Sequence, residues 1–391
     1  MNIEKTIDSI PIDLFLEIFS SLPAKSVGRC RCVSKLWASK LGRQDFTELF
    51  LTRSSTRPRI LFSLEQANGE SVFYSSPQLQ NPLEKSIVVA ADSHTKFPTS
   101  LRNCSYASGL ICFPEMRISK RKGEDKVPVI CNPITGQYAI LPKLRTDGEP
   151  KSFLGFDPID KQFKVLLFLS TTVYNETVHS LTLGPGEMRW RKIQYCPFIH
   201  DLAFGKGICI NGVLYYLVKQ TGKSCYVIVC FDVRSEKFKF MEAEFSYSQL
   251  INCKGKLGAI QYINCIRELC MWVLEDVEKQ KWSKHFYPFP KNENGKYPFL
   301  ENEVALFEEC LTFKPYVFYF NPERNVLQPV EIQGVDLKDL NRCGTVYAFV
   351  DHVEDLSVHD AKQLKSSIFD LRIGSFESIN KFDALCRLDN D

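Results

Sequence analysis

Six histidines (His94, His179, His200, His285, His352 and His359) and fifteen cysteines are the side chains of this 391-residue chain that could ligate a metal, shuttle a proton or attack a carbonyl. Their spacing does not organise them. No His-x-x-x-His pair and no Cys-x-x-Cys pair occurs, and Cys30-x-Cys32 and Cys265-x4-Cys270 are poor spacings for a tetrahedral site. Most of the cysteines lie inside apolar runs, such as Ile111-Cys112-Phe113 and Val229-Cys230-Phe231, where a thiol serves as a small hydrophobe. Gly205-Lys206-Gly207 and Gly255-Lys256-Leu257-Gly258 lack the length and the Lys-Ser/Thr ending of a phosphate-binding loop. Gly184-Pro185-Gly186 reads as a turn, and no Gly-x-Ser-x-Gly elbow is present. The sequence therefore calls for no metal, no cofactor and no catalytic residue.

The composition is that of a globular chain, 44% hydrophobic and 24% charged, with a net charge of only +3. Such a balance argues against wholesale nucleic-acid binding and against disorder. No apolar run reaches the 18 or more residues of a membrane helix. Met1-Asn2-Ile3-Glu4-Lys5 has no secretory character, so a cytoplasmic or nuclear location is expected, and an odd cysteine count there speaks against a disulfide framework.

The elements begin with a helical stretch. Pro11 and Asp13 suit a helix N-terminus, and Leu14, Phe15, Leu16, Ile18, Phe19 and Leu22 follow before Pro23 stops the run. Leu14, Ile18 and Leu22 share one side and Phe15 and Phe19 another, which is more apolar surface than one stripe. A unit of roughly 50 residues cannot bury both faces alone, so a second protein is expected on one of them. A short helix starts after Pro23, and Ser34 is placed to cap another carrying Leu36, Trp37 and Leu41. Lys25, Arg29, Arg31, Lys35, Lys40 and Arg43 form a basic run without an acid, read as a solvated face suited to an acidic protein surface.

Ile10-Pro11-x-Asp13-Leu14-x-x-Glu17-Ile18-Phe19-x-x-Leu22-Pro23-x-Lys25-Ser26-Val27, continued by Arg29-Cys30-Arg31-Cys32-Val33-Ser34-Lys35-x-Trp37, resembles a plant-type F-box. Ile10 stands where leucine is usual, and Gly28 is a weak helix residue. The resemblance implies a three-helix module that docks the small Skp-type adaptor of a cullin–RING ubiquitin ligase. Carried over by position, Pro11, Leu14, Ile18, Leu22, Pro23 and Val27 would face the adaptor, while Val33 and Trp37 would hold the helices together.

Phe46, Leu49 and Phe50 mark a last helix, and the polar text from Thr52 to Arg59 reads as a hinge. Beyond it, short apolar runs separated by Gly, Asn, Asp and Pro indicate strands. A turn opener followed six residues later by a large side chain recurs: Asn132 with Tyr138, Asp157 with Phe163, Asp232 with Phe238 and Asn321 with Leu327, more loosely Gly184 with Trp190 and Asp276 with Trp282. Asn211-Gly212 is a tight hairpin turn. Leaving out Asp157, the openers stand 44 to 52 residues apart, the length of a propeller blade. Ser108-Gly109-Leu110-Ile111-Cys112, Asn132-Pro133-Ile134-Thr135-Gly136, Leu154-Gly155-Phe156-Asp157, Asn211-Gly212-Val213-Leu214-Tyr215 and Met271-Trp272-Val273-Leu274 resemble the plant F-box-associated domain. That resemblance implies a kelch-like β-propeller that recruits a substrate.

The expectation is an α+β multidomain chain: a three-helix F-box at 1–50, a linker at 51–59, a six- or seven-bladed propeller-like domain at 60–350, and a C-terminal segment at 351–391 that closes the ring or extends from it. Arg117-Ile118-Ser119-Lys120-Arg121-Lys122 reads as a solvated blade loop, with a nuclear import signal or an acidic-partner contact beside it. The expected function is the substrate-recognition subunit of a Skp–cullin–F-box ubiquitin ligase, not itself an enzyme, with an unnamed protein target and neither membrane nor nucleic acid as partner. Two alternatives are kept, an adaptor-binding protein without a ligase substrate and a propeller enzyme acting on a small ligand.

Overall fold

The computed structural model describes residues 10–66, 68–79, 88–99, 101, 103–117, 126–145, 148–172, 175–184, 188–193, 200–202, 207–220, 225–245, 248–263, 268–288, 299–301, 304–307, 314–321, 326–335, 346–356 and 365–367. Four helices come first: α1 (Ile12–Ser20), α2 (Ala24–Arg31), α3 (Lys35–Leu41) and α4 (Gln44–Ser55). The three helices expected of this unit are thus four. Gly42 ends α3 and Arg43 restarts the chain, its guanidinium paired with Asp45 at 2.6 Å in the first turn of α4. Ser34 caps α3 as its position suggested, accepting from the Trp37 N–H at 3.3 Å.

α4 runs through the expected boundary at residue 50, and only residues 56–58 separate it from the first strand. The residues expected as a linker carry side chains used in packing. Arg57 donates to the Ser20 and Leu22 carbonyls at 2.7 and 3.0 Å. Arg59 is buried.

All remaining described elements are strands, arranged in six sheets of four or five. Five are blades of consecutive strands: Ser105–Ala107 to Gln137–Ile140, Lys151–Asp157 to Arg191–Ile193, His200–Leu202 to Phe238–Ala243, Gln249–Cys253 to Lys281–Pro288, and Phe299–Glu301 to Val326–Gln333. The sixth sheet is composite, in the order Val346–His352, Arg59–Glu65, Ser71–Pro77, Asp92–Phe97. It closes the ring by pairing a late strand with the first, Leu64 opposite Val346 and Arg59 opposite His352. The expectation of six or seven repeats is corrected to five continuous blades and this one closing sheet. The five openers Asn132, Gly184, Asp232, Asp276 and Asn321 fall one per blade, each before the last of its consecutive strands, and the closing sheet, whose strands come from both ends of the propeller, has none. Asp157, which broke the regularity, opens a turn between the first and second strands of its blade.

Asn132, Asp232 and Asp276 act through their side chains. Asn132 Oδ1 accepts from the Ile134 and Thr135 N–H groups at 2.9 and 3.2 Å, and Asp232 Oδ1 from Ser235 at 2.6 Å. Asn211 and Gly212 both take positive φ, 49° and 82°, as a two-residue hairpin turn of this type requires. The core lies between sheets. Leu61, Phe73, Phe97 and Phe113 join the closing sheet to the first blade, and Phe153, Phe168, Tyr216 and Phe231 join the second to the third. The basic cluster at 118–122 and the tail beyond residue 367 lie outside the described residues.

Candidate docking face on the helical unit

The helical unit builds a small aromatic core. Trp37 meets Phe15 and Phe19 edge-on, with ring centroids 5.5 and 4.9 Å apart, and Phe46, Phe50 and Leu41 complete the interior. Because Phe15 and Phe19 sit one helical turn apart and point inward, the neighbouring positions on α1 point out. Leu14 is 52% exposed and Ile18 53%, one turn apart on that outer side. Ten large hydrophobic residues are exposed among the described residues, and five of them, Ile12, Leu14, Ile18, Val33 and Leu36, belong to this short unit. Fully burying a Leu or Ile side chain stabilises by about 1.5–3 kcal/mol, so this face holds a sizeable unrealised gain for a partner.

The residues expected to dock an adaptor divide. Pro11, Leu14 and Ile18 are exposed, and Leu22 and Pro23 are half-buried where α1 turns into α2. Val27 is a correction: it is fully buried, because α2 starts at Ala24 and places Ala24 and Val27, three residues apart, on the same inward side. Val33 is the converse correction. Expected in the interior, it is 63% exposed, because α2 ends with Cys32 as its C-cap and Val33 falls in the turn before Ser34. Trp37 is half-buried and packs against the helical core. Leu36 was missed as a surface residue, although its neighbour Trp37, once turned inward, leaves it facing out.

Part of the basic run is already engaged. Arg31 donates to the Leu41 carbonyl at 2.7 Å, Lys25 to the Ser93 carbonyl at 2.9 Å, and Lys40 lies 5.2 Å from the centre of the Phe15 ring. Burial lowers the Arg31 pKa.

Behind the docking face, the helices are joined to the ring by a buried polar cluster. Glu354, just past the closing strand, accepts from the Ala24 N–H at 3.2 Å, at the start of α2 where a carboxylate also meets the helix dipole favourably. Arg59 lies 3.8 Å from Glu354, pairs with Asp92 at 2.6 Å and donates to the Ser75 hydroxyl at 3.0 Å. His94 contacts the same hydroxyl at 2.7 Å, and His352 meets the Tyr106 hydroxyl at 2.9 Å. Burial pushes both histidines down to about 3, helped at His94 by His352 and at both by Arg59. Burial raises Glu354, against the pull of Arg59 and the Ala24 N–H. Ile134 and Leu356 supply the apolar part of the junction against the helical core.

Two histidines, two carboxylates and an arginine therefore do converge, but as a bridge beneath the helices. Among the described residues no group of three or more His, Cys, Asp or Glu side chains could hold a metal. None of the ten described cysteines forms a disulfide, and burial drives the Cys112 thiol to about 12, in the direction of an inert core residue. No helix among the described residues is long and apolar enough to cross a membrane.

The chain thus combines an apolar face on a small helical unit with a ring of sheets that braces it. Comparison with known families agrees in both parts: residues 7–49 match the F-box domain and residues 59–353 the F-box associated beta propeller domain. The chain belongs to the family of F-box proteins with an F-box-associated β-propeller. It is similar to F-box protein At3g57590 of Arabidopsis thaliana, 50% identical over 92% of this chain and 94% of that one. It is also similar to F-box protein At2g15640 of the same plant, 45% identical over 92% of this chain and 96% of that one. TolB from Acinetobacter baumannii is a distant structural likeness, 11% identical with a TM-score of 0.41 over 77% of this chain and 70% of that one.

Proposed function

We propose that this protein is the substrate receptor of a Skp–cullin–F-box ubiquitin ligase. In this reading the helical unit docks a Skp-type adaptor through Leu14 and Ile18, with Ile12, Val33 and Leu36 extending the face and Pro11, Leu22 and Pro23 at its margin. The propeller holds a target protein close to the conjugating enzyme carried by the same complex. Its contribution to the reaction is proximity: tethering raises the effective concentration of target lysines without any covalent step on this chain. Such a complex works in the cytoplasm or nucleus. The observation that carries the reading is the clustering of half of the exposed large hydrophobics on the helical unit. The fixed seat of that unit on the ring supports it, since a tether with a set geometry presents its cargo in a set place.

The test is co-purification and calorimetry of the full chain with a plant Skp-type adaptor, beside a Leu14→Asp, Ile18→Asp double variant. Each carboxylate would be unpaired in the interface, so affinity should fall at least a hundredfold. The melting temperature should hardly change, because both side chains are already half exposed. A folded wild-type chain that ignores the adaptor, or a double variant that binds it equally well, refutes the docking reading. A target whose turnover is indifferent to the double variant would instead favour an adaptor-binding protein without a ligase substrate.

A further inference from the structure

The outer edges of the sheets hold chemistry that docking on the helices does not use. On the first blade, Lys365–Ser367 pairs antiparallel with Gln137–Ile140 as a fifth strand. On the fifth, Val88–Ala90 pairs parallel with Val326–Gln333. Strand addition at the rim is thus a contact this fold already makes twice with its own chain. The fourth blade ends in Lys281–Pro288, eight residues long, whose outer edge no strand among the described residues pairs.

The side chains of that strand are unusual for an open edge. Phe286 is 50% exposed. Lys284 Nζ stands 4.9 Å from its ring centre and 5.2 Å from that of Trp272. Behind them Phe245 packs on Trp272 and Trp282, with centroids 5.0 and 5.4 Å apart. The indole N–H groups of both tryptophans are buried. Two nearby acids are already engaged: Glu275 is held by Lys256 and by the Ser283 hydroxyl, and Asp276 lies 3.9 Å from Lys279. Lys281 and Lys284 are exposed and in no ion pair among the described residues.

We propose that the outer edge of Lys281–Pro288 binds an extended acidic peptide segment of a partner protein by strand addition. Backbone hydrogen bonds along the edge supply affinity that does not depend on sequence. A carboxylate against Lys284 and an apolar side chain against Phe286 supply selectivity. Charge decides the occupant: a second copy of this chain paired edge to edge would set lysines against lysines, whereas an acidic strand neutralises them. The site is independent of the adaptor reading, since a chain that met no adaptor would bind the peptide equally.

The experiment uses the full chain and an acetylated, amidated octapeptide repeating Glu-Thr-Val-Thr, which sets glutamate and valine two residues apart on one face as Lys284 and Phe286 are, with a Lys-Thr-Val-Thr peptide as control. Fluorescence anisotropy should show saturable binding of the acidic peptide alone. Lys284→Glu should weaken it at least tenfold. Because a strand added at an edge uses every second amide, two N-methylated peptides blocked on opposite edges should differ, one losing binding and the other keeping it. Hydrogen exchange should show new protection confined to residues 281–288. Equal behaviour of the two methylated peptides, protection elsewhere, or no binding at millimolar peptide overturns the proposal, all with the unmutated protein. Sedimentation showing that this edge is occupied in a dimer, or protection of 281–288 before peptide is added, assigns the edge to a second copy or to the chain's own segment and also overturns it.

Discussion

Across residues 12–55 the protein leaves Leu14, Ile18 and Val33 half or more exposed, while most of the described large apolar side chains of the ring lie between sheets. The polar groups show the reverse. The ring's closing sheet buries Arg59, His352 and Glu354 beneath the helices, whereas its turns keep their ion pairs near the surface, such as Arg234 with Asp160 at 2.9 Å. The difference follows from how each part is completed. A ring of sheets completes its own interior and leaves only short edges. A four-helix unit of this size cannot bury all its apolar surface, and it is finished by the ring on one side and left open on the other. The exposed apolar surface is the side that the proposed adaptor would complete.

Three measurements would break or sharpen this contrast. The largest effect belongs to the aromatic core, where Phe15→Ala should cost about 3–5 kcal/mol in denaturant unfolding, while Val33→Ala, on the open side, should stay within about 0.5 kcal/mol of wild type. Similar losses for the two would mean that the inside and outside of the unit have been misassigned.

Next is the bridge to the ring. Glu354→Ala leaves the Ala24 N–H without its acceptor and removes one of the carboxylates beside Arg59, which should cost about 1–3 kcal/mol. Glu354→Gln, retaining an oxygen, should lose less. A drop confined to the helices, read by limited proteolysis within residues 12–55, would show that the bridge serves the unit more than the ring.

The smallest effect is acid sensitivity. His94 and His352 are neutral in the fold because burial holds them near 3, while the unfolded chain takes up protons near 6.5. Stability from this source is complete above pH 6.5 and declines as pH falls toward 3, by on the order of 1–2 kcal/mol per histidine at pH 5. Glu354, raised, acts in the opposite sense and softens the decline. Stability that is flat from pH 7 to pH 5, or unchanged in slope by His352→Phe, would contradict this assignment.

Much of this was legible in the chain. The Ser34 cap, the Asn211-Gly212 turn and the Asx openers are local devices whose cause lies within a few residues, and each is found as the sequence implied. Phe15 and Phe19 against Leu14 and Ile18 could be sorted into two faces by helical spacing, though spacing alone did not say which face turned inward. Val27 and Val33 were placed the wrong way round because the outcome hangs on where α2 begins and ends, a matter of one or two residues. Glu354 bonding to Ala24 across 330 positions left no trace in either segment. The added strand at Val88–Ala90 was equally silent, since its pairing depends on a distant blade rather than on its own three residues. The composite sheet has no opener to count, so a repeat frame could not find it.

That sheet bears on how the protein is made. Arg59 can find His352, and Ala24 can find Glu354, only after nearly the entire propeller has left the ribosome. Contacts of such separation form late and expose unpaired strands while they wait. The helices, made before the ring, therefore receive support from residues made after it, and a chain cut short before residue 346 would carry the helical unit without its brace. In a nascent polypeptide, completion of the ring and consolidation of the helical unit are a single event.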